Sequence, residues 1–146
     1  MFKKILTFVG LGFVLVVGGL LVIQLIPYGR NHTNPPVVSE PQWPDTQTRA
    51  LAQRACFDCH SNETTWPWYS NVAPISWMTQ HNVSEGRSKL NFSEWNNGGH
   101  GEGAHEMVEA LQEGKMPPFD YLIMHPEARL SDAERQQLIQ GLSQLR

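Results

Sequence analysis

The chain has 146 residues, which is enough for one small domain and one appended segment. Its formal net charge is −3, and residues 41–146 hold 8 Lys and Arg against 13 Asp and Glu. Because a nucleic-acid-binding domain needs a basic face, this acidic balance argues against nucleic acid as a partner.

The first predicted element is an apolar N-terminal helix. Ile5–Ile26 form a largely apolar run of 22 residues, long enough to cross a hydrocarbon core of about 30 Å. A cleaved signal peptide has a shorter apolar region and a small-residue cleavage site, so we predict a retained transmembrane anchor over residues 1–27. Lys3 and Lys4 precede the run. The positive-inside rule therefore places the N-terminus in the cytoplasm and the rest of the chain outside.

Residues 28–44 are predicted to be a linker, because they are rich in proline and proline keeps a chain extended. Residues 45–146 are predicted to form the folded domain. Its first helix is expected to begin at Asp45 or Thr46, since short polar side chains cap helix N-termini. Apolar residues and both cysteines then recur at helical spacing, so we predict one helix that ends near Ser61.

The motif Cys56-Phe57-Asp58-Cys59-His60 follows the C-x-x-C-H pattern, which is typical of covalent haem attachment. Two thiols three residues apart on one side of a helical turn can add to the two vinyl groups of a haem. His60 can then bind the iron from the proximal side. Covalent attachment takes place outside the cytoplasm, where unprotected cysteine pairs oxidise, so the motif and the predicted topology agree.

Three other interpretations of the cysteine pair are weaker. A dithiol redox pair usually lies near a βαβ pattern, whereas the approach to Cys56 looks helical. A zinc site needs about four ligands, and His100 and His105 offer the one suitably spaced histidine pair, in a glycine-rich stretch. A structural disulfide would close a very small ring.

The aromatic segment Trp66-Pro67-Trp68-Tyr69 has two interpretations that the sequence leaves open. It is either a hydrophobic plug against the core, or a wall that covers the haem and donates hydrogen bonds to the propionates from Trp66, Trp68 and Tyr69. One tryptophan can do both.

A second helix is predicted over Val72–His81, with Pro74 in its first turn. One face of this helix would carry four residues, namely Ile75, Trp77, Met78 and His81. Arg87 and Lys89 follow it and are candidate partners for the haem propionates.

Asn96–Gly103 are expected to form a glycine-rich loop that contains His100. A third helix follows and ends at Gly114 as its C′ residue. Met116 comes just after this helix, and Pro117 biases its backbone towards an extended conformation. A thioether on a stiff loop suits the sixth ligand of a haem iron, and Met/His ligation raises the reduction potential.

Three further residues stay open as distal ligands: His81, Met124 and His125.

The capping box Ser131-Asp132-Ala133-Glu134 predicts the start of the last helix. It is expected to pack against the helix that carries the cysteines. No segment shows convincing strand alternation. We therefore predict an all-α, cytochrome c-like domain of about four helices around one covalent haem, preceded by the transmembrane helix.

Residues 45–146 resemble the c-type cytochrome superfamily in the C-x-x-C-H motif, the Gly-x-Met-Pro loop and the closing helix that begins with Leu-Ser. More narrowly, they are similar to the bacterial haem-binding domain family in residues 56–64, 66–70, 73–77, 114–118, 125–128 and 130–131. The resemblance implies that Cys56 and Cys59 hold a haem c, that His60 is the proximal ligand and that Met116 is the distal ligand.

The expected function is one-electron transfer by a single covalent haem c in the periplasm. The chain would be held in the bacterial inner membrane by its N-terminal helix and would meet redox partner proteins, acting as a carrier rather than an enzyme. Two alternatives stay open. One is a haem-based redox or gas sensor, and the other is a small peroxidase-like enzyme, for which His81, His100 or His105 would supply the acid/base group.

Overall fold

The computed structural model describes residues 2–98 and 104–145. Within these residues the regular secondary structure is helical and contains no strand, so the predicted all-α class with an N-terminal apolar helix is confirmed. The predicted loop residues 99–103, including His100, lie outside the described residues. The α-helices are α1 (Phe2–Ile23), α2 (Thr46–Ala55), α3 (Phe57–His60), α4 (Ile75–Lys89), α5 (Ala104–Gln112), α6 (Phe119–Met124) and α7 (Asp132–Leu142).

The helix α1 is long and apolar enough to cross a membrane. Its segment Lys4–Ile23 has a mean hydropathy of 2.7, and none of that segment is buried inside the protein. An apolar surface of this kind is stable in lipid and unfavourable in water.

The chain forms two compact units. The first unit consists of the described residues up to His32 together with Trp66–His81, and the second unit consists of Thr33–Thr65 and the described residues from Asn82 onward. The predicted boundaries (anchor 1–27, linker 28–44, domain 45–146) stay a prediction.

The extended residues 33–44 are hydrogen-bonded to the rest of the second unit. The amides of Val38 and Ser39 donate to the Ser93 carbonyl at 2.9 and 3.1 Å, and the Trp95 amide donates to the Ser39 carbonyl at 3.0 Å. The backbone groups of this segment therefore find hydrogen-bond partners on the folded unit.

The cysteine motif lies on two helical segments, not on one continuous helix. Asp45 caps α2 as predicted, because its carboxylate accepts a 2.7 Å hydrogen bond from the Thr48 amide. However, α2 ends at Ala55, and Cys56 leaves the helical conformation with φ −128° and ψ −34°. The Cys56 carbonyl then accepts from the amide of His60 at 2.9 Å, which starts the short helix α3. The break lets Phe57 enter the core.

Aromatic rings fill the core of the second unit around Phe57. The Phe57 and Phe92 ring centroids are 5.5 Å apart, Phe92 and Trp95 are 6.0 Å apart, and Trp43 lies 5.2 Å from Phe92. The aliphatic part of this core comes from α2, from the residue after α4, from α5 and from α7 and its C-terminal flank, namely Leu51, Ala52, Leu90, Leu111, Leu138, Ile139, Leu142 and Leu145.

The helix α4 runs eight residues beyond the predicted end at His81 and finishes at Lys89. Of the predicted face, Ile75, Met78 and His81 are exposed and Trp77 is half-buried, while Ser76, Val83 and Gly86 are buried. Gly86 packs closely against the backbone of Cys59. In the sequence Gly86 suggests the end of a helix, but in the structure it lies inside α4 and lets the helix approach the Cys59 backbone closely.

The closing helices agree with the sequence. Gly114 ends α5 with φ +68°, and the amides of Gly114 and Lys115 donate to the carbonyls of Leu111 and Ala110 at 3.2 and 2.9 Å, which is a Schellman motif. Ser131 and Glu134 form the predicted capping box of α7. As predicted, α7 packs against α2, and it also packs against α5.

We expect Gly86→Ala to lower the free energy of unfolding by about 1–3 kcal/mol, as overpacking usually does. An added Cβ would lie 3.0 Å from the Cys59 carbonyl carbon, and closer still to its oxygen. The gain of about 1 kcal/mol in helix propensity would not offset this clash. Urea unfolding would measure the loss. The control is Gly12→Ala in α1, where the new Cβ would meet nothing within 4 Å; an equally stable Gly86→Ala protein would refute the packing argument.

Candidate functional site

A cavity of about 330 Å³ lies in the second unit. Its walls come from the end of α2, from α3, from the second half of α4, from α5, from the Met116 loop and from the start of α6. Four of the predicted site residues line it together: Cys56, Cys59, His60 and Met116. Most of the remaining wall is apolar, with Leu90, Phe92, Met107 and Leu111 among its members.

The two thiols at this cavity are free, because Cys56 and Cys59 form no disulfide. Burial raises the pKa of Cys56 to about 12 and that of Cys59 to about 11. Both groups are therefore neutral thiols near pH 7. A dithiol redox pair relies on an easily formed thiolate, so this environment argues against that interpretation. Within the described residues no three His, Cys, Asp or Glu side chains are placed to hold a metal ion together.

His60 presents one ring nitrogen to the cavity and uses the other for the protein. Its Nδ1 lies 3.0 Å from the Gly86 carbonyl oxygen and 3.2 Å from that of Leu90. A ring nitrogen beside two acceptors carries the hydrogen, so Nδ1–H donates and Nε2 keeps its lone pair. Burial lowers the pKa of His60, which favours the neutral imidazole. A neutral histidine whose Nδ1–H is hydrogen-bonded in this way can bind a metal ion through Nε2.

Met116 is held in place by the end of α5. Its amide donates to the Ala110 carbonyl at 3.2 Å, directly after the Schellman motif. The other candidate distal ligands lie elsewhere. Met124 is exposed, and His125 stacks on Tyr121 at 4.1 Å, with neither of them among the residues that line the cavity. His81 is exposed and belongs to the first unit.

Arg87 forms hydrogen bonds with the residues that follow the cysteine motif. Its Nε donates to the Ser61 carbonyl at 2.8 Å, and its Nη2 donates to Asn34 Oδ1 and Thr64 Oγ1 at 2.9 Å each. The guanidinium is not among the groups that line the cavity. Its predicted role as a propionate partner stays a prediction.

The aromatic segment belongs to the first unit. Trp66 stacks on His32 with ring centroids 4.5 Å apart, and Trp68 meets Tyr69 edge to face at 5.9 Å. The predicted role of Trp66, Trp68 and Tyr69 towards a haem stays a prediction.

Sequence reasoning missed one contact at the cavity. Tyr121 lines it, and the phenolic hydroxyl donates a 2.8 Å hydrogen bond to Asp58 Oδ2. Burial, together with the Asp58 carboxylate, raises the pKa of Tyr121. Asp58 also accepts from the Thr65 amide at 2.8 Å. The second residue between the cysteines thus ties α6 to the turn that carries His60. The sequence did not predict the short helix α6 that contains Tyr121. No local sequence pattern therefore indicated the hydrogen bond between Tyr121 and Asp58.

We expect Tyr121→Phe to lower the free energy of unfolding by about 1.5–3 kcal/mol, the usual range for a hydrogen bond to a charged group. Urea unfolding, followed by absorbance of the bound pigment, would measure the change. Tyr28→Phe is the control, because Tyr28 is exposed. Equal losses in both variants would contradict a specific role for the Asp58 contact.

Charged groups that line the cavity are mostly acidic. They are four carboxylates, Asp58, Glu85, Glu106 and Asp120, and one ammonium, Lys89. Lys89 Nζ lies 3.6 Å from Glu85 Oε1, one helical turn away. Among the described histidines, only His60 lines the cavity, and His105 is exposed.

These donors fit a haem. The thiols of Cys56 and Cys59 suit its two vinyl groups, the free Nε2 of His60 and the thioether of Met116 are both iron ligands found in cytochromes, and the apolar wall suits the porphyrin face.

Comparison with known proteins agrees with this fit. The chain matches the model of a haem-binding domain over residues 18–144, a range that contains the cysteine motif and Met116. No curated protein and no solved structure gives a significant match. Because the family match covers most of the sequence, the chain belongs to the haem-binding domain family.

Proposed function

We propose that this haem-binding protein is a membrane-anchored monohaem c-type cytochrome that carries single electrons on the periplasmic side of the bacterial inner membrane. The observation that carries the proposal is the convergence of two free thiols, a neutral imidazole and a thioether on one largely apolar cavity. It acts as an electron carrier, not as an enzyme.

The cysteines hold the cofactor covalently. Each thiol would add across one vinyl group, its sulfur bonding to one vinyl carbon and its hydrogen going to the other, so Cys56 and Cys59 would hold the haem through two thioether bonds. The reaction is an addition, so it needs no oxidant or reductant. Cys56 and Cys59 can complete it for one haem per chain, since they are the only two cysteines in the sequence.

The remaining groups prepare the site for electron transfer. When bound, the haem iron supplies one-electron redox chemistry. His60 offers Nε2 because Nδ1–H is held by the Gly86 and Leu90 carbonyls. Met116 offers its sulfur from a loop fixed by α5. If His60 and Met116 both hold the haem iron, no position would be left for a substrate, and the ligands would not need to change with its oxidation state.

The location and the partner follow from charge and hydropathy. Lys3 and Lys4 before an apolar helix favour an outer placement of the second unit. The four carboxylates that line the cavity favour a redox partner protein with a basic surface, since complementary charge speeds encounter.

Carbon monoxide tests the ligand set. We expect the absorption spectrum of the reduced full-length protein to stay unchanged when carbon monoxide is added, because both axial positions are filled. Ready binding by the unaltered protein would contradict the proposal. It would favour the sensor or peroxidase-like alternative, both of which need an open distal position.

A further inference from the structure

Three contacts within the first unit attach the segment Trp66–His81 to the chain that leaves α1. The side chain of Gln24 donates to the Ala73 carbonyl at 2.9 Å and accepts from the Ala73 amide at 3.0 Å. Gly29, with φ +79°, packs so closely on Ser76 that a Cβ there would lie 2.6 Å from the Ser76 carbonyl carbon. His32 Nε2 lies 3.1 Å from the Ser70 carbonyl oxygen.

These contacts hold the segment Trp66–His81 beside the C-terminal end of α1. The apolar stretch Lys4–Ile23 has 20 residues, so its length of about 30 Å matches the hydrocarbon core of a bilayer. Gln24 is the next residue, so in a membrane-anchored chain it would lie near the end of the hydrocarbon core, with the apolar Leu25 and Ile26 directly after it. Ala73 is paired with Gln24 and lies at the same level.

The segment around Ala73 carries no charged side chain of its own, but Arg30 lies beside it, since Arg30 Nη2 donates to the Gln24 carbonyl at 2.6 Å and to Gln24 Oε1 at 3.4 Å. Trp66–His81 contain no Asp, Glu, Lys or Arg. Large side chains on this surface stay exposed within the protein, Trp68 to 76% and Met78 to 48%. The full set, called the collar below, is Tyr28, Trp68, Val72, Ile75 and Met78.

We propose that the collar lies in the lipid interface at the outer end of α1, as a second membrane contact beside the transmembrane helix. This proposal rests on the membrane anchor of the proposed function. Tryptophan and tyrosine favour the headgroup level, where the ring is apolar and its N–H or O–H meets water. Interfacial apolar faces enter the boundary by about 5–10 Å. The segment Trp66–His81 brings no charged side chain of its own into the interface, and the long side chain of Arg30 can keep its guanidinium at the headgroup level.

This assignment gives Trp68 a role that the sequence left open between a core plug and a haem wall. The lipid covers a large exposed ring, and the Gln24–Ala73 pair fixes the segment against the end of the span. The collar therefore restrains the first unit at the membrane surface.

Hydroxyl-radical labelling tests the collar on the full-length haem protein, inserted into vesicles of phosphatidylcholine mixed with phosphatidylglycerol. The chain supplies matched internal controls: Phe119 is 79% exposed and Met124 is 54% exposed, both in the second unit. Mass spectrometry would give the labelling rate of each side chain relative to the same side chain in the denatured chain.

We expect Trp68 and Met78 to be labelled several-fold more slowly than Phe119 and Met124. Phe8 and Phe13 in α1 separate this proposal from the anchor. If they are protected while Trp68 and Met78 react as fast as the controls, the anchor stands and the collar is wrong. If Phe8 and Phe13 also react fully, the membrane anchor itself fails and the collar fails with it.

Discussion

Met116→Ala is expected to let the reduced protein bind carbon monoxide and to lower its reduction potential. The substitution removes the thioether that lines the cavity, so in the proposed cytochrome the iron would lose its distal ligand and gain an open position. Because Met/His ligation raises the potential, we expect a fall on the order of 0.1 V or more, within the roughly 0.8 V range that axial ligands control. Redox titration and carbon monoxide difference spectra would measure both effects.

Met124→Ala is the matched control for this substitution. Met124 is an exposed methionine at the end of α6 and is not among the residues that line the cavity. We expect its spectrum and potential to equal those of the unaltered protein. If Met124→Ala, and not Met116→Ala, opened the iron to carbon monoxide, the proposed ligand set would be wrong.

His60→Ala is expected to abolish the low-spin spectrum of the haem, and added imidazole is expected to restore it. The thioether links would still hold the pigment, but the iron would lose its proximal ligand. Removing the side chain also frees the Gly86 and Leu90 carbonyls, which now accept from Nδ1 at 3.0 and 3.2 Å. Free imidazole has the size of the missing ring and the same donor and acceptor groups. Absorption spectra during imidazole titration would follow the recovery.

His125→Ala is the corresponding control. His125 is half-buried and bonded to Glu127 at 3.0 Å, and it does not line the cavity. We expect its spectrum to be unchanged without imidazole. A His60→Ala protein that kept its low-spin spectrum would show that another group binds the proximal face.

Local signals in the sequence predicted the local parts of the fold. The capping box at Ser131 and Glu134 and the left-handed Gly114 depend on residues a few positions apart, and both are present. The C-x-x-C-H motif and Met116 could be singled out because their chemistry is visible in a short window. Their meeting at one cavity depends on how α3, α5 and α6 pack, which no short window contains.

Long-range contacts explain what the sequence did not reveal. The helix α4 continues to Lys89, and its Gly86 packs on Cys59, a residue far away in the sequence. The helix α2 ends at Ala55, which allows Phe57 to stack on Phe92 in the core. The guanidinium of Arg87 donates hydrogen bonds to Ser61, Thr64 and Asn34. The residues that neighbour Arg87 in the sequence give no indication of these partners.

The covalent bond between the protein and its haem is the central claim, and the intact mass of the denatured full-length protein tests it most directly. We predict that the mass exceeds that of the polypeptide by one haem, that the pigment stays with the protein in acid-acetone, and that a variant with both Cys56→Ala and Cys59→Ala loses the extra mass. An unaltered protein that has the bare polypeptide mass and releases its pigment into the solvent would contradict the account.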